Sequence, residues 1–191
     1  MNREMGYYEL YKNVHIPERW FIRSPADESR EWILHRQFFQ GVPVHLGEEP
    51  FIPVSHPGRA LDYSTTDTGV SVLNRRLVAL WERLGVREEI QLIPARVEGQ
   101  AERYFILNTL RILRCVDEAR SEEVSFRDPQ RDDIKRWGPY HGVMGLKIDT
   151  TAVGDAQVFR PWGLESQLIV SERIKRAMEE EGITGARFVE V

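Results

Sequence analysis

The sequence predicts an α+β protein, mainly antiparallel sheet with two principal amphipathic helices at about 71–84 and 171–181. Three observations lead to that fold class. The chain has 191 residues, 41% of them apolar, with 5 Trp, 8 Phe and 6 Tyr, which is enough material for one core without a second domain. Two stretches repeat apolar residues at the helical period. Elsewhere Pro and Gly divide the chain into short apolar runs, the pattern of strands joined by turns. The expectation is a single domain over 1–191 whose first part, to about residue 65, is rich in strands and loops.

That first part has runs at Tyr7 to Tyr11, Trp20 to Ile22, Val42 to His45, Phe51 to Val54 and Ala60 to Tyr63, stopped by breakers such as Pro17, Pro25, Gly47 and Pro57. Ser29 to Phe39 fits neither period and reads as a strand or a short helix. From Ser71 to Leu84 the residues Leu73, Leu77, Leu80, Trp81 and Leu84 share one helical face, with Ser71 as N-cap and Gly85 just past the end. Ile90 to Val97 and the run from Arg103 to Val116, joined by a five-residue loop, predict an antiparallel hairpin in which Pro94 sits at an edge or a bulge.

Asp117 to Tyr140 is the most polar stretch. Within it Asp128-Pro129 reads as an N-cap followed by Pro at the first helical position, opening one or two turns that Gly138-Pro139 stops. Val143 to Asp149, Gln157 to Arg160, Gln167 to Val170 and Ala186 to Val191 read as strands. Ser171 to Glu181 is the second helix, with Ile174, Ala177 and Met178 inward and Gly182 as its stop. The two helices echo each other, from Val70-Ser71 to Gly85 and from Val170-Ser171 to Gly182. A duplication and independent use of the same capping chemistry both fit.

Composition excludes several functions. With 26 basic and 30 acidic residues, net −4, the chain lacks the basic excess of a general phosphate-backbone binder. One cysteine, Cys115, permits neither an internal disulfide nor a cysteine metal cluster, and its apolar neighbours suit an inert thiol. His15, His35, His45, His56 and His141 stand apart from one another, unlike zinc ligands, so neither metal nor cofactor is expected. The N-terminal residues show no apolar signal region and no run reaches the length of a spanning helix, which points to a cytoplasmic protein with no membrane partner.

Motifs of chemistry are near misses. Gly138 to Gly145 is rich in glycine but is followed by β-like residues rather than a phosphate-holding helix. Gly69-Val-Ser71-Val-Leu73 lacks the second glycine of a nucleophile elbow. Carboxylates for acid–base work could be drawn from Asp62, Asp67, Asp149 and Asp155, and Asp62, His141 and Asp149 together would make a small hydrolase or transferase; Asp62 also suits a turn carboxylate accepting backbone hydrogen bonds. Trp137, Tyr140 and Trp162 lie in polar or Pro/Gly-bounded segments, where aromatics serve either as interface anchors or as loop supports. Asp128, Asp132 and Asp133 beside them form a solvated face or complement a basic partner.

One resemblance spans the chain from about Tyr7 to Val191. Its residues are Phe39-Gln-Gly41 with Val42-Pro43, Asp62, Val70-Ser71 with Arg76-Leu77, Ile93-Pro94, Tyr104 with Ile106-Leu-Asn108, Asp117 with Ser121, and Phe159-Arg160. The closing block, Ile169-Val-Ser-Glu-Arg173 through Gly182-Ile-Thr-Gly185-Ala-Arg-Phe188, is the most specific. In these the sequence resembles immunity-protein family 11 of bacterial polymorphic toxin systems. The resemblance implies a cytoplasmic α+β inhibitor, not an enzyme, that binds a cognate toxin encoded by a neighbouring gene, often a nuclease. It brings no catalytic residues. The expected partner-binding residues are Asp128, Asp132, Asp133, Trp137, Tyr140 and Trp162, with no direct contact to nucleic acid. The alternatives are the hydrolase or transferase above and an adaptor with a non-toxin partner.

Overall fold

A computed structural model describes residues 6–27, 29 and 31–191. The expectation of a leader-free N-terminus rests partly on residues 1–5, outside the described residues. In chain order the strands are β1 (Tyr7–Lys12), β2 (Phe21–Ile22), β3 (Phe51–Ile52), β4 (Val54–His56), β5 (Tyr63–Thr65), β6 (Ser71–Leu73) and β7 (Ile90–Val97). They continue with β8 (Arg103–Thr109), β9 (Ile112–Leu113), β10 (Glu123–Phe126), β11 (Tyr140–Met144), β12 (Val158–Pro161), β13 (Ile169–Ser171) and β14 (Ala186–Glu190). The helices are α1 (Arg75–Arg83), α2 (Ile134–Trp137), α3 (Thr150–Val153) and α4 (Glu172–Glu180), and a 3-10 turn covers His35–Phe39.

Two five-stranded sheets organise these elements, ordered β14-β1-β13-β12-β9 and β3-β7-β8-β6-β5. All pairs are antiparallel except β9 with β12 and β3 with β7. The fold class is therefore α+β, as the short runs and two amphipathic stretches implied. Each sheet has apolar residues on both faces. Val72, Ile93 and Ile106 point to one cluster while Leu73 and Leu107 point to another, and Val158 and Val170 face away from Phe159 and Ile169 in the same way. The shared central layer holds α1 and α4 through Leu77, Leu80, Trp81, Ile174 and Met178. The segment around Trp20, Phe38 and Val44 covers the outer face of the second sheet, and Cys115, Tyr140, Leu146 and Ile148 lie in the cluster on the outer face of the first.

The hairpin of β7 and β8 forms in full register, and Pro94 lies beyond the reach of β3, which pairs only with Arg96 and Val97. Four expectations change, the first at Val143 to Asp149, which is a strand only as far as Met144, where β11 ends. Val42 to His45 is not a strand, because side-chain amides replace a neighbouring strand. Gln91 Oε1 accepts from Val44 N at 2.8 Å and its Nε2 donates to Val44 O at 2.8 Å, while Asn108 Nδ2 donates to Val42 O at 2.8 Å. Asp128 does not cap a helix; its carboxylate accepts from Gln130 N in a turn, and α2 begins later with Asp133 as cap.

Ser71 is not the cap of α1 either. It belongs to β6, paired with β5 and β8, its hydroxyl lies 3.0 Å from that of Tyr63, and Asn74 caps the helix by accepting from Leu77 N. In α4, by contrast, Ser171 is the cap, accepting from Ile174 N. The two Val-Ser steps are thus three residues out of structural register, which favours independent capping over duplication. We expect Asn74→Ala to cost about 1–2 kcal/mol, the loss of a cap, and Ser71→Ala about 1 kcal/mol, the loss of one buried hydrogen bond. Urea denaturation of both variants checks this, and a larger loss at Ser71 than at Asn74 would restore Ser71 as the cap.

Candidate functional site

Two glycines create the site. Gly138, at φ 70°, and Gly163, at φ 88°, stand so close that a Cβ on Gly138 would lie 2.3 Å from the Gly163 Cα. Their approach brings the loop after β10 against the turn after β12, and so brings Trp137 and Trp162 to one cleft of about 580 Å³. The 3-10 turn closes the far wall with His35, Arg36 and Phe39.

The tryptophans are half-buried and stacked by guanidinium groups. Arg36 and Arg136 lie 4.7 and 4.6 Å from the Trp137 ring centroid, and Arg114 lies 3.7 Å from that of Trp162. Such contacts are worth roughly 0.5–2 kcal/mol each and fix the rings for contact at low entropic cost. Tyr140 stands differently from the other two aromatics. It is 7% exposed, packed in the outer cluster with its hydroxyl donating to Glu118 at 2.8 Å, so it holds the wall rather than facing solvent. Burial first, then the Glu118 hydrogen bond, raises its pKa above the ordinary tyrosine range.

Asp128, Asp132 and Asp133 are exposed on this loop and fasten its backbone. Asp132 accepts from Asp128 N at 3.1 Å and Asp133 from Arg136 N at 3.2 Å. The three carboxylates do not make the loop acidic, because Arg127, Arg131, Lys135 and Arg136 accompany them.

The residues of the hydrolytic alternative do not share the cleft. His141 lines it, whereas Asp62 hydrogen-bonds to Asn74, Arg76 and Thr184, and Asp149 caps α3 with a pKa lowered first by its hydrogen bond to the Thr151 side chain. The Cys115 thiol is buried and pushed up to about 12 by desolvation, with Asp149 adding to it, so it is a poor nucleophile at neutral pH. Among the described residues no group of three or more His, Cys, Asp or Glu could hold a metal ion, and no helix is long and apolar enough to cross a membrane.

Beneath the cleft lies Arg160, a residue that sequence reasoning did not single out as functional. It is fully buried, its guanidinium stands 4.7 Å from the Phe39 ring centroid, and Nη1 donates to Glu165 O at 2.8 Å. Its Nε and Nη2 have no hydrogen-bond partner. Burial lowers its pKa to about 10, still charged at neutral pH. Two separated motifs, Phe39-Gln-Gly41 and Phe159-Arg160, therefore meet at the cleft floor.

A family model described as Immunity protein family (Imm11) matches residues 8–191. The chain belongs to the Imm11 family. A search of curated proteins returns no match. In this Imm11 chain two groups of the motif residues stand out from those that fill the core. Asp62, Arg76 and the Gly182 to Gly185 turn join α1 to the loop after α4, while Phe39, Gln40 and Arg160 gather at the cleft. The first group builds the fold. The second lies where a partner could reach its outer members.

Proposed function

We propose that this Imm11 chain is a cytoplasmic immunity protein of a polymorphic toxin system, without catalytic activity, that neutralises a cognate toxin, a nuclease, by stoichiometric binding. Membership of an immunity family over nearly the whole chain carries this reading. The cleft supports it by presenting two half-buried tryptophans on facing loops, large anchors with few rotatable bonds. The contact surface contains Trp137 and Trp162, supported from behind by Tyr140 and rimmed by Asp128, Asp132 and Asp133. The rim carboxylates complement the basic surface that a nuclease presents to its substrate.

Co-expression with the toxin encoded by the neighbouring gene tests this. The wild-type chain is expected to protect cells and to form a complex with purified toxin, and toxicity undiminished by the folded wild-type protein would overturn the reading. Trp137→Ala should weaken the complex at least about tenfold, mostly through faster dissociation. Changing Asp132 and Asp133 together to Ala should slow association a few-fold at low salt and change it little at high salt. Surface plasmon resonance at two salt concentrations separates these effects. Unchanged kinetics in both folded variants would place the interface elsewhere.

A further inference from the structure

The walls of the cleft are cationic. Arg36, Arg127 and Arg136 line it, and none of them has a carboxylate within ion-pair distance among the described residues. Glu165 is the carboxylate that lines it, and its Oε1 already accepts from Gly163 N at 2.7 Å. The Nε of Arg127 is buried without a partner, as are Nε and Nη2 of Arg160 beneath Phe39. Three guanidinium charges that line the cleft without a carboxylate partner favour an incoming anion, and Arg160, enclosed beneath Phe39 and outside the lining, adds its charge from below.

An apolar extension adjoins the cationic cleft. A second depression of about 380 Å³, lined by Trp32, Ile33 and Leu34 opposite Arg23 and Asp67, shares His35 and Thr68 with the cleft, and the Asp67 carboxylate already accepts from Ser24 Oγ at 2.9 Å. Trp32 is 57% and Leu34 66% exposed, a pair of large apolar side chains two residues apart at the edge of this depression. The surface thus joins a cationic cleft to a shelf with an exposed apolar edge.

We propose that this surface receives an acidic segment of the toxin, one carboxylate side chain entering between Trp137 and Trp162 and a neighbouring apolar side chain resting on Trp32 and Leu34. The inference rests on the immunity reading above and names the chemistry of the partner at that site. A planar carboxylate matches the fork of an arginine, and desolvation between two indole rings strengthens the pairing. A nucleic-acid strand is the less favoured occupant. Its successive phosphates would have to thread between Asp128, Asp132 and Asp133, which alternate with the basic residues of that loop, on a chain of net charge −4, whereas a single acidic side chain need not. The rim acids and the cationic cleft therefore select a partner whose basic surface carries one projecting acidic segment.

The test uses the full-length protein and the purified toxin encoded beside it. Arg36→Glu combined with Arg136→Glu should weaken binding by at least about tenfold, and Arg36→Gln alone should weaken it less, because charge reversal adds repulsion to the lost attraction. Arg36→Lys, which keeps the charge, should recover part of the loss, and Trp32→Ala should speed dissociation. Thermal melts establish that each variant is folded, and Arg36→Gln, at an exposed position, keeps the test open if the double reversal does not fold. Equal affinity of wild type and the folded charge variants would overturn the inference while leaving the immunity reading intact. Failure of wild type itself to bind the toxin would overturn both. Competition between a short oligothymidylate and the toxin, with quenching of tryptophan fluorescence by the oligonucleotide alone, would assign the cleft to nucleic acid and also overturn it.

Discussion

Asp62→Ala is expected to destabilise the protein by about 3–5 kcal/mol, more than any substitution within the cleft, because it leaves several polar groups without their acceptor. Asp62 is 7% exposed. Its Oδ1 accepts from Asn74 Nδ2 at 2.7 Å, and its Oδ2 accepts from Thr184 N at 2.7 Å, from Thr184 Oγ1 at 2.8 Å and from Arg76 Nη1 at 3.1 Å. The Asp62 N–H in turn donates to Thr184 Oγ1 at 3.0 Å. One carboxylate thereby orients the cap of α1 and pins the turn between α4 and β14. Gly185 completes the joint, since a Cβ there would stand 1.9 Å from Tyr63 O at a φ of +95°. Asp62→Asn keeps one carbonyl acceptor and should cost less than the alanine, and a Thr184→Ala background should remove only the part of that difference that the Thr184 hydroxyl carries, because Thr184 N, Asn74 and Arg76 still donate to residue 62. Urea denaturation of wild type, the three single variants and the two double variants measures this. Loss of protection against toxin by an Asp62 variant of unchanged stability would reject the structural role and reopen a chemical one.

Local patterns announced much of this architecture. The apolar spacing of Leu77, Leu80 and Trp81 and of Ile174 and Met178 predicted α1 and α4, because a helix must bury one stripe, and the short loop from Glu98 to Glu102 predicted the hairpin. The cap of α1 was misplaced because Val70-Ser71 and Val170-Ser171 look alike locally. Only pairing with β5 and β8 turns Ser71 to Leu73 into a strand, a tertiary contact that no local pattern reports. At the site, loop aromatics marked Trp137 and Trp162, but their convergence depends on the contact between Gly138 and Gly163. Arg36 and Arg160 were missed for the same reason: a guanidinium reveals its role only through the ring it stacks on. Arg136, next to Trp137, was the one stacking partner adjacent in sequence. Trp32 and Leu34, in a run that fitted neither period, carried a readable signal, since apolar residues without a periodic face lack an obvious place in a core.

Glu9→Gln is expected to stabilise the protein by about 1–3 kcal/mol at pH 8 and to change it little near pH 4.5. Glu9 lies in β1, an interior strand between β13 and β14, and is 5% exposed. Burial pushes its pKa up to about 7, and a hydrogen bond with Tyr11 partly opposes that rise. The ordinary value is near 4.5, so between pH 4.5 and 7 the folded protein holds a proton that the unfolded chain releases. Stability from this group is therefore complete below about pH 4.5, declines as pH rises through about 7, and levels off above it, the reverse of a salt-bridged carboxylate. Glutamine keeps the shape and a hydrogen-bonding oxygen while removing the titration. Urea midpoints of wild type and variant from pH 4.5 to 8 give the difference directly, with the other titrating groups cancelling between the two proteins. A gap that widens with pH and saturates above about 7 is the expected result. Parallel profiles would mean that Glu9 stays ionised in the fold, solvated or paired well enough to offset its burial.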